Sequence, residues 1–192
     1  MNKEEFLTRF HLQQLAESSH NYQHHLPLKK AAVLIGLIDS PEHESGLQVL
    51  LTKRSSHLKH HPSQVSFPGG KAEPEDDNLI ATALREAQEE IGLDLNSVAV
   101  IGQLPTYEII SGYQVTPIVA IIDQQPNFLQ DDNEVAEIFQ VPLQYFLQGE
   151  SHRCISSLRR GRHHNIHFFP YKHYNIWGAT ASMLKDLINH IN

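Results

Sequence analysis

Two apolar runs, AAVLIGLID (31–39) and LQVLLTKR (47–54), flank the polar loop SPEHESG. Short apolar segments bounded by turn residues predict a pair of adjacent strands. VAVIGQL and YQVTPIVAII read as further strands, and CISSL and IHFFPY flank RRGRHHN, which predicts a hairpin turning at Gly161. Helical spacing appears elsewhere. Residues 3–17 bring Phe6, Phe10 and Leu15 onto or near one face, and Leu184, Leu187, Ile188 and Ile191 follow i, i+3, i+4, i+7. NEVAEIFQVPLQYFL spaces Ile138, Leu143 and Phe146 as a helix would, with an interruption at Pro142. Strands mixed with helices early, midway and last predict an α/β sandwich with a mixed sheet. The histidine-rich stretch SSHNYQHHLPLKK reads as a connector, which divides the chain into 1–28 (helix and connector) and 29–192 (the main domain).

Composition narrows the function classes. A chain of 192 residues, 40% hydrophobic, is long enough for one domain with a real core. The formal charge of −7 argues against a general nucleic-acid binder. The single cysteine, Cys154, allows no disulfide within one chain and fits a reducing cytoplasm. The acidic N-terminus lacks the apolar core of a signal peptide, and no stretch approaches a membrane span.

Candidate chemistry is concentrated in REAQEEIGL (85–93). Glu86, Glu89 and Glu90 stand at i, i+3, i+4, so a helix brings their carboxylates to one face. Ile80, Leu84, Ala87 and Ile91 form a separate apolar stripe, and Gly92 suits the left-handed position past a helix end. This predicts a helix from about Asn78 to Ile91, with Asp76 or Asp77 as N-cap. Solvated like-charge pairs cost only ~0.2–0.5 kcal/mol each, so a wet acidic face is admissible. A hard divalent cation such as Mg²⁺ or Mn²⁺ is the other way to relieve the repulsion. Just upstream, FPGG (67–70) supplies Gly69 and Gly70, which permit close backbone approach to a phosphate or metal. Lys53, Arg54 and Lys59 form a basic cluster on an acidic chain, a candidate anion site. Arg159, Arg160 and Arg162 read as a solvated hairpin tip. His57, His60 and His61 have helical metal spacing, but Pro62 and the polar loop around them favour ligand contact over zinc. Ser63 lacks the surroundings of a hydrolase nucleophile.

These residues resemble a known family. Gly70, an acid at Asp77, Arg85, Glu86, Glu89, Glu90, Gly92 and Leu93 are similar to the Nudix box, G-x5-E-x7-R-E-U-x-E-E-x-G-U. The loop from Gly70 to Asp77 is one residue longer, and Asp77 and Ala87 depart from the usual residues. LLTKRSSHLKHHPSQVSFPGG (50–70) resembles the segment before the box in Nudix coenzyme A diphosphatases, with Lys59 at an Arg position and Ser63 at a Gly position. Lys keeps the charge but not the planar fork. SGYQVTPIVAII, NEVAEIFQVPL and IWGATASML extend the likeness over most of 30–185.

The resemblance implies a Nudix α/β/α fold over 29–192 and metal-dependent hydrolysis of a diphosphate. In coenzyme A or acyl-CoA the products are 3′,5′-ADP and (acyl-)4′-phosphopantetheine. Glu86 and Glu90, with Glu89 as a further ligand, would hold Mg²⁺ or Mn²⁺, and Arg85, pointing away from them, would fix the helix. Lys53, Arg54, Lys59, Gly69 and Gly70 would contact substrate. Glu134 is a possible further base or ligand, with Glu137 near it, set against a solvated first helical turn. The implied partner is a small molecule, with no nucleic acid and no membrane; the oligomeric state stays open. So do two rival readings, a hydrolase of another nucleoside diphosphate derivative such as ADP-ribose, and a non-catalytic binding module.

Overall fold

The computed structural model describes residues 1–14, 27–39, 46–123, 127–159 and 162–192. Leu15, most of the histidine-rich connector, the loop 40–45, Arg160 and Gly161 lie outside them, as do the side chains of Arg159 and Arg162.

The frame is the pairing of β1 (Lys29–Asp39) with β7 (Tyr113–Asp123), parallel and in register from Lys29↔Tyr113 to Asp39↔Asp123. Both strands are buried on both sides, which is why they read as continuous apolar runs rather than alternating ones. Successive residues still divide between two cores. Ala31, Ile35, Val115 and Val119 face one; Ala32, Leu34, Ile118 and Ala120 face the other. Around this pair the chain assembles an eight-stranded mixed sheet. β2 (Gln48–Arg54) and β4 (Gly69–Lys71) pair antiparallel with β1, β5 (Val98–Gln103) and β6 (Tyr107–Ile109) pair with β7, and β3 (Val65–Ser66) pairs with β2. The α/β class with a mixed sheet is as expected.

One segment differs. Residues 135–142 are not the start of a helix but strand β8 (Val135–Pro142), paired along β2 from Gln48↔Pro142 to Arg54↔Val135. The helical intervals of Ile138 and Leu143 fall in different elements. Pro142 ends the strand, having no amide to extend the ladder, and only Leu143–Leu147 forms helix α3. A second, three-stranded sheet contains the expected hairpin, β9 (Arg153–Arg159) and β10 (Arg162–Tyr171), with β11 (Tyr174–Trp177) on its other edge.

Helices cover both faces. α2 (Leu79–Ile91) packs Ala83, Ala87 and Ile91 on one core, while Ile80 at the edge of the stripe stays 38% exposed. α4 (Gly178–Ile191) lays Leu184, Leu187, Ile188 and Ile191 on the other. α1 is shorter than expected, Lys3–Leu12, with Gln13 already extended. It docks Phe6 and Phe10 into the α4-side core, where Phe10 meets the His190 ring edge-on and the Phe10 carbonyl lies 2.8 Å from His190 Nε2. No described helix is long and apolar enough to cross a membrane.

The burial of α1 has a measurable consequence. Phe6 is fully buried, and truncating a buried Phe to Ala typically costs about 3–5 kcal/mol. Phe6→Ala is expected to lower the unfolding free energy of the whole domain by an amount in that range, read from one denaturant transition by circular dichroism.

Candidate active site

The acidic helix begins one residue later than expected. Asn78, not Asp76 or Asp77, is the N-cap; its Oδ1 accepts from the amides of Ile80 and Ala81 at 2.9 and 3.0 Å. Asp76 is thereby free for another role. Arg85 Nε and Nη2 donate to its two carboxylate oxygens at 2.9 and 3.0 Å, a bidentate pair. The Thr82 hydroxyl and the Glu73 amide donate to Asp76 as well. The acid that answers Arg85 is therefore Asp76, six positions after Gly70, so the extra residue falls between the acid and the arginine rather than before the acid. Arg85 and these donors hold the Asp76 carboxyl well below the usual carboxylate range.

Nor does Arg85 point away from the glutamates. Its Nη1 donates to Glu86 Oε1 and to Glu89 Oε2, each at 3.0 Å, and Nη2 also reaches the Lys71 carbonyl at 3.1 Å. The guanidinium thus clasps the Gly70–Asp76 loop to the helix and partly neutralises two of the three glutamates. Glu89 is open to solvent at 60% exposure.

Glu90 is the outlier. It is 4% exposed, yet among the described residues it carries one hydrogen bond, from the Gly69 amide at 3.2 Å, and has one cation nearby, Arg54 Nη1 at 3.7 Å. Burial pushes its carboxyl up to about 8, against the pull of Gly69 and Arg54 and helped by the charges of Glu134 and Glu86. Glu86 is raised by the same cause, burial, with Arg85 opposing it. The glycines permit this crowding. A Cβ on Gly70 would stand 2.5 Å from the Glu86 carboxylate, and one on Gly69 would stand 2.4 Å from the Ala32 carbonyl oxygen. The FPGG turn is therefore pressed between strand β1 and the carboxylates of α2.

The remaining candidates are distributed as follows. Arg54 belongs to the cluster, and its Nε is buried with no hydrogen-bond partner among the described residues. Lys53, one residue away, points elsewhere and is tied to Glu137 Oε1 at 2.6 Å. Glu137 also accepts from the Tyr174 hydroxyl at 2.7 Å, so it sits in a strand-to-strand network and not in a helical turn. Glu134 lies in the turn just before β8, where its charge bears on both Glu86 and Glu90. Lys59, His57 and His60 are exposed on the loop before β3. Among the described residues no three acids, histidines or cysteines come together as a ready ligand set, because Arg85 draws Glu86 and Glu89 to itself. Sequence reading missed the contact of Arg54 with Glu90 and the task of Asp76. The G-x5 spacing from Gly70 was the available signal for the second.

Because the Asp76 carboxyl is depressed in the folded chain, its contribution to stability is fully present above its ordinary value near 3.8 and is lost as pH falls below it. Asp76→Asn is expected to be less stable than the parent at pH 7. The difference should shrink as pH falls through 4 and below, measured as denaturant midpoints of both proteins across that range.

Known proteins resemble this chain over most of its length. Residues 28–170 match the NUDIX domain family. A protein of Yersinia enterocolitica bearing the name uncharacterized Nudix hydrolase NudL is 40% identical over 188 residues, 98% of this chain and 92% of its own. The Yersinia pestis protein of the same name is 38% identical over 191 residues, 98% of this chain and 94% of its own. The crystal structure of RenU, a Nudix hydrolase from M. smegmatis, superposes with a TM-score of 0.52 at 20% identity, over 70% of this chain and 83% of that one, and so shares the fold. The domain match and the near full-length relatives establish that the chain belongs to the Nudix hydrolase family.

Proposed function

We propose that the protein hydrolyses the diphosphate of coenzyme A or an acyl-CoA in a reaction that depends on Mg²⁺ or Mn²⁺, releasing 3′,5′-ADP and (acyl-)4′-phosphopantetheine. The observation that carries the metal half of this reading is Glu90, a carboxylate 4% exposed and answered by one amide and one cation at 3.7 Å. Burying a charge so incompletely paired is costly. A hard cation that prefers carboxylate oxygen suits Glu90 with Glu86, and Glu89 is the further ligand once released from Arg85. When bound, such an ion neutralises the diphosphate and lowers the pKa of an attacking water. The chain's own groups would do the rest. The Gly69–Gly70 backbone lets a phosphate approach closely, and the spare Nε–H of Arg54 would donate to it. Asp76 holds Arg85, and Arg85 holds the loop against the helix. Glu134, whose charge is felt by both buried glutamates, is our candidate for the proton acceptor.

The coenzyme A half rests on the segment LLTKRSSHLKHHPSQVSFPGG, whose basic residues would meet the substrate's third phosphate. With Lys53 bound to Glu137, the exposed Lys59 is the residue of that cluster open to an incoming anion.

Two outcomes are expected. EDTA should abolish hydrolysis, and Mg²⁺ or Mn²⁺ should restore it. Either ion should also raise the melting temperature of the parent but not of Glu90→Gln. That variant should lose more than the ~10- to 100-fold that removal of an outer partner of a metal ligand costs, while keeping its circular dichroism spectrum. For the second, CoA should exceed 3′-dephospho-CoA in kcat/KM by roughly ten- to hundredfold, the worth of one charge-assisted contact. Lys59→Ala should shrink that ratio at constant ionic strength. Equal kcat/KM for both substrates in the parent points instead to another nucleoside diphosphate derivative.

A further inference from the structure

On the α4 side of the sheet, a cavity of about 360 Å³ lies between the β6–β7 turn, β10 and the start of α4. Tyr107, Ile109, Ile110, Ile166 and Trp177 give it an apolar and aromatic wall. Gly178, Ala179 and Thr180, the first turn of α4, form another side. The N-cap position of that helix is Trp177, which has no oxygen to offer, and no side chain caps the first amides. Ser182, one turn further, also lines the cavity. It is 6% exposed, and its hydroxyl makes no hydrogen bond to any described residue. Unspent donors of two kinds therefore converge on one apolar space.

Those donors call for an acceptor, and the lining limits which one. It includes no lysine or arginine and does include Glu108, so although His61, His163 and His164 also line it, no permanently charged cation there answers a phosphate. An uncharged chain with carbonyl oxygens spaced by methylenes fits both the donors and the walls. The cavity lies within chain reach of the site already described. Gln64 lines it, and Gly69, whose amide holds Glu90, follows five residues later. Five residues of chain span at most ~18 Å.

We propose that this cavity receives the pantetheine arm and thioester end of an acyl-CoA. The arm's amide and thioester carbonyls accept from the α4 amides and Ser182, and the acyl chain packs on Trp177 and Ile166. The proposal rests on the coenzyme A reading of the diphosphate site and deepens it: acyl-CoA is the preferred substrate over free CoA.

The chain contains one tryptophan, and it lines the cavity, so intrinsic fluorescence reports occupancy directly. The test titrates S-octanoyl-pantetheine, which carries no diphosphate, into the full-length protein. A saturable change in Trp177 emission is expected, with competitive inhibition of CoA turnover at the same constant. Ser182→Ala removes one hydrogen bond and should weaken binding about three- to tenfold. Asn165→Phe, at an exposed position on the cavity rim, should weaken it without burdening the core. Octanoyl-CoA should exceed CoA in kcat/KM. Absence of a saturable emission change in the parent overturns the proposal whether or not CoA is hydrolysed, and so does unchanged binding in both variants. Binding of S-octanoyl-pantetheine without any hydrolysis of CoA or octanoyl-CoA overturns the coenzyme A reading alone and leaves the cavity as the site for an amide-bearing chain.

Discussion

The parallel pairing of β1 with β7 is the constraint on which the other elements depend. Eleven residues of each strand run in register, and because both strands are buried on both faces, each residue has a fixed side and a fixed neighbour. A slip of one position would exchange the two cores and present Ala32 and Leu34 to α4 instead of α2. From this pair the site follows by short steps. β4 adds to β1 through Ala32↔Gly70 and Val33↔Gly69, which brings the glycine turn alongside the helix that packs on Leu34 and Ile118. Strand register thus sets the separation between Gly70 and the Glu86 carboxylate.

At that junction several charges are held in tension. Arg85 is committed on one side to Asp76 and on the other to Glu86 and Glu89, while Glu90 remains buried with little company. A helix that could have shed its acids into solvent instead keeps two of them against a backbone turn. Stability alone gives no reason for this, since an apolar residue at position 90 would fit the same core without the cost of desolvation. Local rules broken at a place with no structural return are characteristic of functional sites.

Much of this was legible from the chain, for identifiable reasons. Doubly buried strands announce themselves as unbroken apolar runs, and the α2 and α4 stripes carry the helical period. Gly92 ends α2 in the left-handed region at φ 63°, as its position suggested. The site residues were visible because their spacing is local, all within one helix and the turn before it. What escaped was decided at a distance. Residues 135–142 are half-buried and have no clean period, so only the pairing with β2 makes them a strand. Asp76 and Asp77 are adjacent acids, and which of them meets Arg85 depends on the path of the loop and on Asn78 taking the cap. The role of Lys53 turned on Glu137, 84 positions away. Ser182 is one of several polar residues in α4, and nothing in its neighbours announces a cavity.

The separation of the two sheets has a consequence for how the molecule opens. β9, β10 and β11 form a hydrogen-bonded system of their own. The links from β11 to the main sheet include the stacking of Tyr174 on Phe139 and the Tyr174–Glu137 hydrogen bond. The outer strand β9 exposes Ile155 and Leu158 at 57% and 65%. Elements held this way open at a lower free-energy cost than the core. Amide hydrogens of β9 and the far half of β10 should therefore exchange through a sub-global opening that leaves β1 and β7 protected. The hairpin wall of the cavity would then open without breaking the strand pairing that sets the glycine turn beside the glutamates.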